Sequence, residues 1–321
     1  MFRPRRLRRN PAIRDMVQEF RLHKNDFVLP IFVHDQLEST PIAHLPGHQR
    51  VDAISLMAHC EHILTKGIRA IALFPVIDSD KKSPECDEAV NPDNLVCQVT
   101  RRIKKAFGDD IIVCGDIALD PYSSYGHDGI VKNGAIVNDD TLDILAKMAC
   151  NQAAAGVDIV APSDMMDGRV LAIRDALDND GYHDTLIMAY TAKYASHLYG
   201  PFRDALASLP QFGDKKTYQM NYSNRYEAAI ELDLDVAEGA DIIMVKPATL
   251  YLDIISDFRA STPLPVAAYH VSGEYAMLHS AARDGYIDFS EALYESLTAI
   301  KRAGASIIVT YGALDIVDIL Q

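Results

Sequence analysis

The sequence lacks any hydrophobic run long enough to cross a membrane. No apolar stretch among its 321 residues reaches the roughly 20 residues that a transmembrane helix needs. The first ten residues, MFRPRRLRRN, are basic, but no apolar segment follows them, and the serine-rich amphipathic pattern of a transit peptide is missing. We therefore expect a protein that neither spans a membrane nor carries a secretory signal.

Cysteine is also scarce. The chain has five cysteines, an odd number, no two of them are close in sequence, and no CxxC-type zinc motif occurs. This pattern argues against a disulfide framework, which secreted domains favour. The sequence therefore predicts a cytoplasmic protein with reduced thiols.

Positive charge is limited and unevenly placed. The net charge is −14, although five arginines lie within the first ten residues, so the remainder of the chain is more acidic than the total. Such an acidic body argues against nucleic-acid binding. The arginine cluster itself permits three interpretations: a nucleic-acid tail, a solvated arm, or an arm that docks on an acidic surface such as a second copy of the chain.

Eight short apolar runs recur along the chain, each followed by a helix-like stretch. The runs are apolar on both faces, as strands buried in a parallel sheet should be. They occupy residues 27–33, 70–76, 111–117, 157–163, 185–191, 241–247, 265–271 and 306–312. Four of the helical patterns end at a glycine, namely Gly67, Gly156, Gly239 and Gly304. The pair Asp140-Thr141 reads as a cap that starts the second of these helices.

This alternation predicts a (β/α)8 TIM barrel over residues 26–321, preceded by an arm over residues 1–25. A doubly wound open sheet is the alternative, but it would normally show a glycine-rich loop after its first strand, and none follows residues 27–33. The connections 77–110 and 192–240 are long. In a barrel, long loops after strands lie on the face where active sites form.

Two lysines stand at the ends of neighbouring predicted strands. Lys193 ends TLIMAYTAK and Lys246 ends DIIMVK, the fifth and sixth runs. Adjacent strands lie ~4.8 Å apart, so the two amines come close. Desolvation and a like charge both lower the pKa of a lysine, and a neutral lysine can attack a carbonyl to form a Schiff base. The alternative is that each lysine merely pairs with a carboxylate at a strand end.

More cationic and hydroxyl side chains are expected on the same face. They are Arg203, Lys215, Lys216 and Gln219 in the long loop, and His270, Ser272, Thr310 and Tyr311 after the last two strands. A cationic pocket in an acidic protein indicates a substrate that bears a carboxylate. The residues alone therefore predict a Schiff-base barrel enzyme for an acidic carbonyl compound, and an aldolase fits as well as any other.

Several longer motifs point to one family. They are APSDMMDGR (161–169), IMAYTAKYAS (187–196), GPFRDA (200–205), FGDKKTYQM (212–220), MVKPA (244–248) and YHVSGEYAM (269–277). These motifs resemble porphobilinogen synthase, also called 5-aminolevulinate dehydratase, and the resemblance covers nearly the whole chain. The resemblance implies a lyase (hydro-lyase) that condenses two molecules of 5-aminolevulinate, with loss of two waters, to porphobilinogen in tetrapyrrole (heme) biosynthesis.

The resemblance also assigns roles to single residues. It implies that Lys246 forms a Schiff base with one substrate and that Lys193 engages the other. The implied carboxylate ligands are Arg203, Lys215 and Gln219 for one substrate, and Ser272 and Tyr311 for the other. The first three lie on a loop around residues 195–220 that acts as a lid in this family, and Lys215 is preferred to Lys216 by its spacing from Gln219.

Asp116, at the end of the third run, is our candidate proton shuttle. Alternatively, it is an anion that balances the two lysines.

Two rival functions are considered. A class I aldolase would not share the YTAK and MVKPA pair with this lid, and a binding or scaffold protein that had lost activity would not need every catalytic position filled.

Zinc members of the family bind the metal through three cysteines in a stretch resembling D-x-C-x-C-P-Y…G-H-C-G. Ala118, Asp120 and Asp128 stand at those positions here. We therefore expect no active-site zinc, because Zn²⁺ prefers thiolates in such a site, whereas Mg²⁺, a monovalent ion or no metal suits carboxylates.

The resemblance further implies an allosteric Mg²⁺ between subunits, held at Glu231, with water supplying most other ligands. A simple carboxylate on a helix surface is the alternative for Glu231. Because the family is typically octameric, with arms wrapped around neighbouring subunits, we also expect a homo-octamer that uses residues 1–25 for its contacts.

Overall fold

The computed structural model describes residues 1–36, 38–206 and 208–320. The strands in these ranges are β1 (Phe27–His34), β2 (Thr40–Pro41), β3 (Gln49–Asp52), β4 (Ala70–Pro75), β5 (Ile112–Ile117), β6 (Ile130–Lys132), β7 (Ala135–Val137), β8 (Ile159–Pro162), β9 (Leu186–Lys193), β10 (Ile242–Lys246), β11 (Val266–His270) and β12 (Ile307–Thr310). The α-helices are α1 (Pro11–Met16), α2 (Ser55–Thr65), α3 (Leu95–Phe107), α4 (Asn138–Ala155), α5 (Arg169–Asn179), α6 (Gly200–Leu206), α7 (Glu227–Ala237), α8 (Leu252–Ser261), α9 (Ser272–Arg283), α10 (Phe289–Ala303) and α11 (Ala313–Val317).

Eight of the strands close into a parallel barrel. They pair in the order β1, β4, β5, β8, β9, β10, β11 and β12, and β12 returns to pair with β1. Each barrel strand coincides with one of the eight predicted runs, so the (β/α)8 prediction is confirmed. The open-sheet alternative is wrong because the two outer strands are hydrogen-bonded to each other. Outside the barrel, β3 extends the end of β1, β2 pairs with β3, and β6 and β7 form a hairpin.

The barrel strands are buried on both faces. In β1, Leu29 and Ile31 pack in the outer apolar layer against the helices, whereas Val28 and Phe32 pack in the inner layer inside the barrel. Because successive strand residues point to opposite faces, both layers demand apolar residues. This explains why the runs read as continuous rather than alternating.

The predicted helix ends are confirmed. Gly67, Gly156, Gly239 and Gly304 each lie just beyond a helix with positive φ, which glycine adopts at no steric cost. The predicted Asp-Thr cap of α4 is wrong, because β7 runs directly into the helix at Asn138 and leaves Thr141 inside the first turn. The Thr141 hydroxyl instead accepts a bond from the Ile130 amide at 2.9 Å, which ties the hairpin to α4.

The first 25 residues form an extended arm. The arm contains a short 3₁₀-helix, Pro4–Arg8, and the short α-helix α1. Leu22 is the one buried residue among these 25. Where the arm meets the barrel, Asp26 forms an ion pair with Lys301 of α10. No helix within the described ranges combines the length and the apolarity needed to cross a membrane.

A buried ion pair links α5 to α7. Arg169 Nη1 lies 3.0 Å from Asp235 Oδ1, and Nη2 lies 3.2 Å from Oδ2. Arg169 Nη2 also donates to the Tyr190 carbonyl of β9 at 3.2 Å. Both partners are almost completely buried, so each charge depends on the other.

We predict that Arg169→Met lowers the apparent free energy of unfolding by about 3–5 kcal/mol, because Asp235 then remains buried without its cation. Urea denaturation followed by circular dichroism measures the change. Arg225→Met is the matched control, since Arg225 is exposed and its pair with Asp257 is screened by water. Equal unfolding midpoints for the two variants would contradict this account.

Candidate active site

The two lysines that end β9 and β10 lie side by side. Lys193 and Lys246 are direct partners in the strand register, and their residues are only 6% and 5% exposed. Both therefore project from the carboxyl ends of adjacent barrel strands, as expected from the sequence. This is the face on which such barrels assemble their functional residues.

The surroundings of the two amines differ. Lys193 Nζ lies 3.3 Å from Asp128 Oδ2 and donates to the Ser163 carbonyl. For Lys246, no carboxylate of the described chain lies within ion-pair distance. Its Nζ instead lies within an aromatic cage whose ring centroids are 4.4 Å away for Tyr269, 5.0 Å for Phe202, 5.1 Å for Tyr190 and 5.2 Å for Tyr199.

Burial in this cage and the like charge of Lys193 together lower the pKa of Lys246 to about 7, against the opposing pull of Asp116. A substantial fraction of this amine is therefore uncharged at neutral pH. An uncharged lysine is the form that adds to a carbonyl. The alternative interpretation, a lysine paired with a carboxylate, describes Lys193 and not Lys246.

Asp116 ends β5 and faces the same cavity as the two lysines. Burial raises its pKa to about 7, and the nearby negative charge of Asp120 acts in the same direction. Its Oδ1 atom is buried without a hydrogen-bond partner among the described residues. A carboxyl group that titrates near neutrality can both accept and return a proton, which fits a proton shuttle better than a fixed anion.

The loop after β5 supplies two carboxylates that bind lysines. Lys215 Nζ lies 2.6 Å from Asp128 Oδ1 and 3.3 Å from Asp120 Oδ2. Burial alone would raise the pKa of Asp128, but the ammonium groups of Lys193 and Lys215 outweigh it and hold the pKa below its ordinary value. Ala118 is buried and adds no polar side-chain atom. Across the described ranges, no group of three histidine, cysteine, aspartate or glutamate residues is arranged to hold a metal ion.

The neighbouring lysines of the long loop are separated by the fold. Lys215 is buried in the cavity, where the two aspartates raise its pKa although burial opposes them. Lys216 is exposed and lies 3.2 Å from Asp214. Of the two lysines weighed from the sequence, Lys215 is the one at the site.

Arg203 and Gln219 also line the cavity. The Arg203 guanidinium lies over the Tyr199 ring at 5.8 Å. Gln219 Nε2 is 3.5 Å from Asp128 Oδ2, and its Oε1 is buried without a partner among the described residues. Together with Lys215, these groups make one wall of the cavity cationic and rich in donors.

Two expected carboxylate ligands lie beside the cavity rather than in its wall. The Ser272 hydroxyl accepts from the Phe202 amide at 3.1 Å. The Tyr311 hydroxyl lies 3.1 Å from that of Tyr269, and its ring stacks on Phe32. Both side chains are buried behind the aromatic cage, and their role in holding a carboxylate stays a prediction.

Reasoning from the sequence missed the aromatic cage and one histidine. Tyr190 and Tyr269 stand in otherwise aliphatic strands, which was the available signal. His127 is fully buried, with Nδ1 3.1 Å from the Tyr218 hydroxyl and Nε2 3.0 Å from the Phe212 carbonyl. His127 thus connects the long loop after β9 to the loop after β5.

Glu231 lies outside this cavity, on α7. Burial raises its pKa to about 7, and the surrounding carboxylates of Asp235, Asp167 and Glu227 add to the rise against the pull of Arg169. Asp167, Glu227 and Glu231 line one depression on the surface. The predicted metal residue is therefore remote from the lysine pair.

A closed parallel barrel that gathers buried lysines and carboxylates at the carboxyl ends of its strands is the architecture of a (β/α)8-barrel enzyme. The profile of one family, delta-aminolevulinic acid dehydratase, matches residues 1–319. The chain belongs to this family, also called porphobilinogen synthase.

Relatives support this membership over nearly the whole chain. Delta-aminolevulinic acid dehydratase of Physcomitrium patens is 53% identical over 97% of this chain and 72% of the relative. That of Chlamydia pneumoniae is 49% identical over 99% of this chain and 96% of the relative. The crystal structure of the Toxoplasma gondii enzyme in complex with the reaction product porphobilinogen superposes with a TM-score of 0.97 at 48% identity, covering 99% of this chain and 91% of that one.

The predicted cytoplasmic location is contradicted by these relatives. The similar enzymes of Physcomitrium patens, Selaginella martensii and Glycine max are named as chloroplastic, while the one from Chlamydia pneumoniae is bacterial. The prediction rested on unpaired cysteines, and reduced thiols are equally compatible with the interior of an organelle. Composition therefore does not determine the compartment.

We predict that Lys246 titrates near pH 7 and that Lys193→Met raises its pKa, because the variant removes the like charge beside it. Competitive acetylation with acetic anhydride across pH, read by mass spectrometry, measures both values. The exposed Lys216 serves as an internal reference for reagent reactivity. Titration of Lys246 at the ordinary lysine value of 10.5 in both proteins would refute the assigned environment.

Proposed function

We propose that this chain condenses two molecules of 5-aminolevulinate, with loss of two waters, to porphobilinogen in tetrapyrrole (heme) biosynthesis. The observation that carries the proposal is the buried amine of Lys246 in its aromatic cage beside Lys193, where burial lowers the pKa of Lys246. The names of the relatives, and the product held by the Toxoplasma gondii enzyme, support the same substrate and product.

The chemistry follows from the lysine pair. The neutral Nζ of Lys246 adds to the ketone carbon of one substrate, the carbonyl oxygen leaves as water, and an iminium remains that acidifies the adjacent carbon. Lys193 engages the ketone of the other substrate. Asp116 accepts and returns protons in the cavity. Because both substrates are held together, the bond-forming steps become intramolecular.

The substrate carboxylates are assigned to two groups of residues. Arg203, Lys215 and Gln219 hold one of them, and the cationic wall that these residues form supports this assignment. Ser272 and Tyr311 hold the other, which requires some rearrangement of the hydroxyl contacts with Phe202 and Tyr269. The class I aldolase considered from the sequence is not supported, because the matching family and the similar enzymes are delta-aminolevulinic acid dehydratases.

We further propose that residues 26–321 form the catalytic domain, with a lid around residues 195–220, and that residues 1–25 make oligomer contacts in a homo-octamer. Ala207 of the lid and Gln321 lie outside the described residues. Support for the arm's role comes from its exposed apolar side chains, such as Phe2 and Met16, which a second subunit would cover.

For the metal, we propose a subtype that lacks active-site zinc. The thiolates that zinc prefers are replaced by Ala118, Asp120 and Asp128, and the two aspartates already bind Lys215. We place an allosteric Mg²⁺ at Glu231, where carboxylates gather on one depression and water would supply the other ligands. Such an ion would offset the mutual repulsion of these carboxylates.

The proposed reaction predicts that Lys246→Ala abolishes formation of porphobilinogen, because the variant lacks the amine that forms the Schiff base. Product is measured with an aldehyde reagent for pyrroles after incubation with 5-aminolevulinate. Lys216→Ala, which removes an exposed lysine from the loop after β9, should keep its activity. Substantial residual activity in Lys246→Ala would contradict the assignment.

The proposed Mg²⁺ site predicts that chelation lowers activity and shifts the sedimenting species to a smaller oligomer, and that Mg²⁺ restores both. Glu231→Gln should abolish the response to Mg²⁺, whereas Glu238→Gln, just beyond the carboxyl end of the same helix, should keep it. Activity and oligomer size that do not change on chelation would refute a role for Mg²⁺. A persistent monomer at micromolar concentration would refute the octamer.

A further inference from the structure

The short helix α6 brings two side chains to the cavity, and its last turn is held from outside. Arg203 lines the cavity and Phe202 forms part of the cage around Lys246. The last carbonyls of a helix have no partner within the helix. Arg50 donates from Nε to the Ala205 carbonyl at 2.7 Å and from Nη2 to the Asp204 carbonyl at 2.8 Å.

This contact places the Arg50 cation at the carboxyl end of α6, the end of a helix that a positive charge stabilises. The carboxyl end of a helix carries a partial negative charge, so a guanidinium placed there is stabilising. The planar fork of arginine can donate to two carbonyls at once, whereas a lysine ammonium presents a single charged centre on a flexible stem. The geometry is therefore specific to arginine at this position.

Arg50 itself stands on a rigid support. It lies on β3, which pairs with the end of the barrel strand β1, and its residue is opposite Phe32 in the register. His34 Nε2 lies 3.1 Å from the Arg50 carbonyl and braces the backbone. The guanidinium thus reaches α6 from a strand that is hydrogen-bonded to the end of a barrel strand.

The position of α6 decides how well the Lys246 amine is shielded. The Phe202 ring lies near both the Lys246 amine and a pair of barrel aromatics, with centroid distances of 5.1 Å to Phe74 and 5.5 Å to Phe32. At the other end of α6, the Phe202 amide is held by Ser272. If the carboxyl end of α6 moved outward, Phe202 would leave the cage and water would reach Lys246.

We propose that Arg50 is a positioning residue that latches α6 closed and thereby holds Phe202 against Lys246. The inference rests on the proposed function in one respect, that the lid covers a Schiff-base lysine. Arg50 touches neither amine of the lysine pair, so it acts through the helix. A purely structural brace between β3 and α6 would affect stability without changing the state of Lys246.

The test compares Arg50→Ala and Arg50→Lys with Arg69→Ala as the matched control. Arg69 also donates to a backbone carbonyl, that of Asp110, at 3.2 Å, but it precedes β4 at the opposite end of the barrel. Three readouts are taken: tryptic cleavage between residues 203 and 217, kcat/KM with 5-aminolevulinate, and borohydride trapping of that substrate on Lys246 at neutral and at alkaline pH.

In Arg50→Ala we expect faster cleavage of the lid and a fall in kcat/KM of about ten- to a hundredfold, the size that loss of hydrogen bonds to a charged group produces. Trapping should fall more at neutral than at alkaline pH, because entry of water raises the pKa of Lys246 and protonates it. Arg50→Lys should recover part of each effect, and Arg69→Ala should behave as the unaltered protein.

The latch would be overturned if Arg50→Ala were cleaved at the wild-type rate and kept the wild-type ratio of trapping at the two pH values. This holds even if the thermal midpoint of the variant fell. The cleavage readout needs no turnover. If the unaltered protein failed to convert 5-aminolevulinate, the proposed function would fail, while the comparison of cleavage rates would still decide whether Arg50 holds α6 closed.

Discussion

Two lysine side chains buried next to each other impose the central constraint on this site. Placing an ammonium group in an apolar interior is costly unless it is paired or loses its proton. The structure uses both solutions, one for each lysine. Lys193 is paired with Asp128 and the Ser163 carbonyl, whereas Lys246 sits among aromatic rings and its pKa falls to about 7. The lowered pKa makes the neutral form of the Lys246 amine, the form that adds to a carbonyl, accessible near pH 7.

The carboxylates around the pair follow from the same constraint. Asp128 bridges Lys193 and Lys215, and Asp120 adds a second contact to Lys215. Both carboxylates thereby neutralise lysines in the cavity. Asp116 is the member of this group without a cation in contact, and its pKa of about 7 makes it the group best suited to exchange protons. Charge balance in the cavity and proton transfer therefore depend on the same few side chains.

Much of this arrangement could be predicted from the sequence. Runs that are apolar on both faces identified all eight barrel strands, and counting strands placed Lys193 beside Lys246. The cage around Lys246 could not be predicted, because it joins rings from β9, β11 and α6 that come together only when the barrel closes. The start of α4 was misplaced because the pairing of the β6–β7 hairpin, not the local cap signal, determines where that helix begins. The compartment could not be predicted, because reduced cysteines are compatible with more than one compartment.

The most direct test of the central claim is to identify the lysine that forms the Schiff base. The protein would be incubated with 5-aminolevulinate, reduced with borohydride at neutral pH and limiting substrate, digested, and mapped by mass spectrometry. We predict that the reduced adduct is found on Lys246. An adduct confined to other lysines, with Lys246 unmodified, would contradict the claim that burial among aromatic rings makes Lys246 the nucleophile.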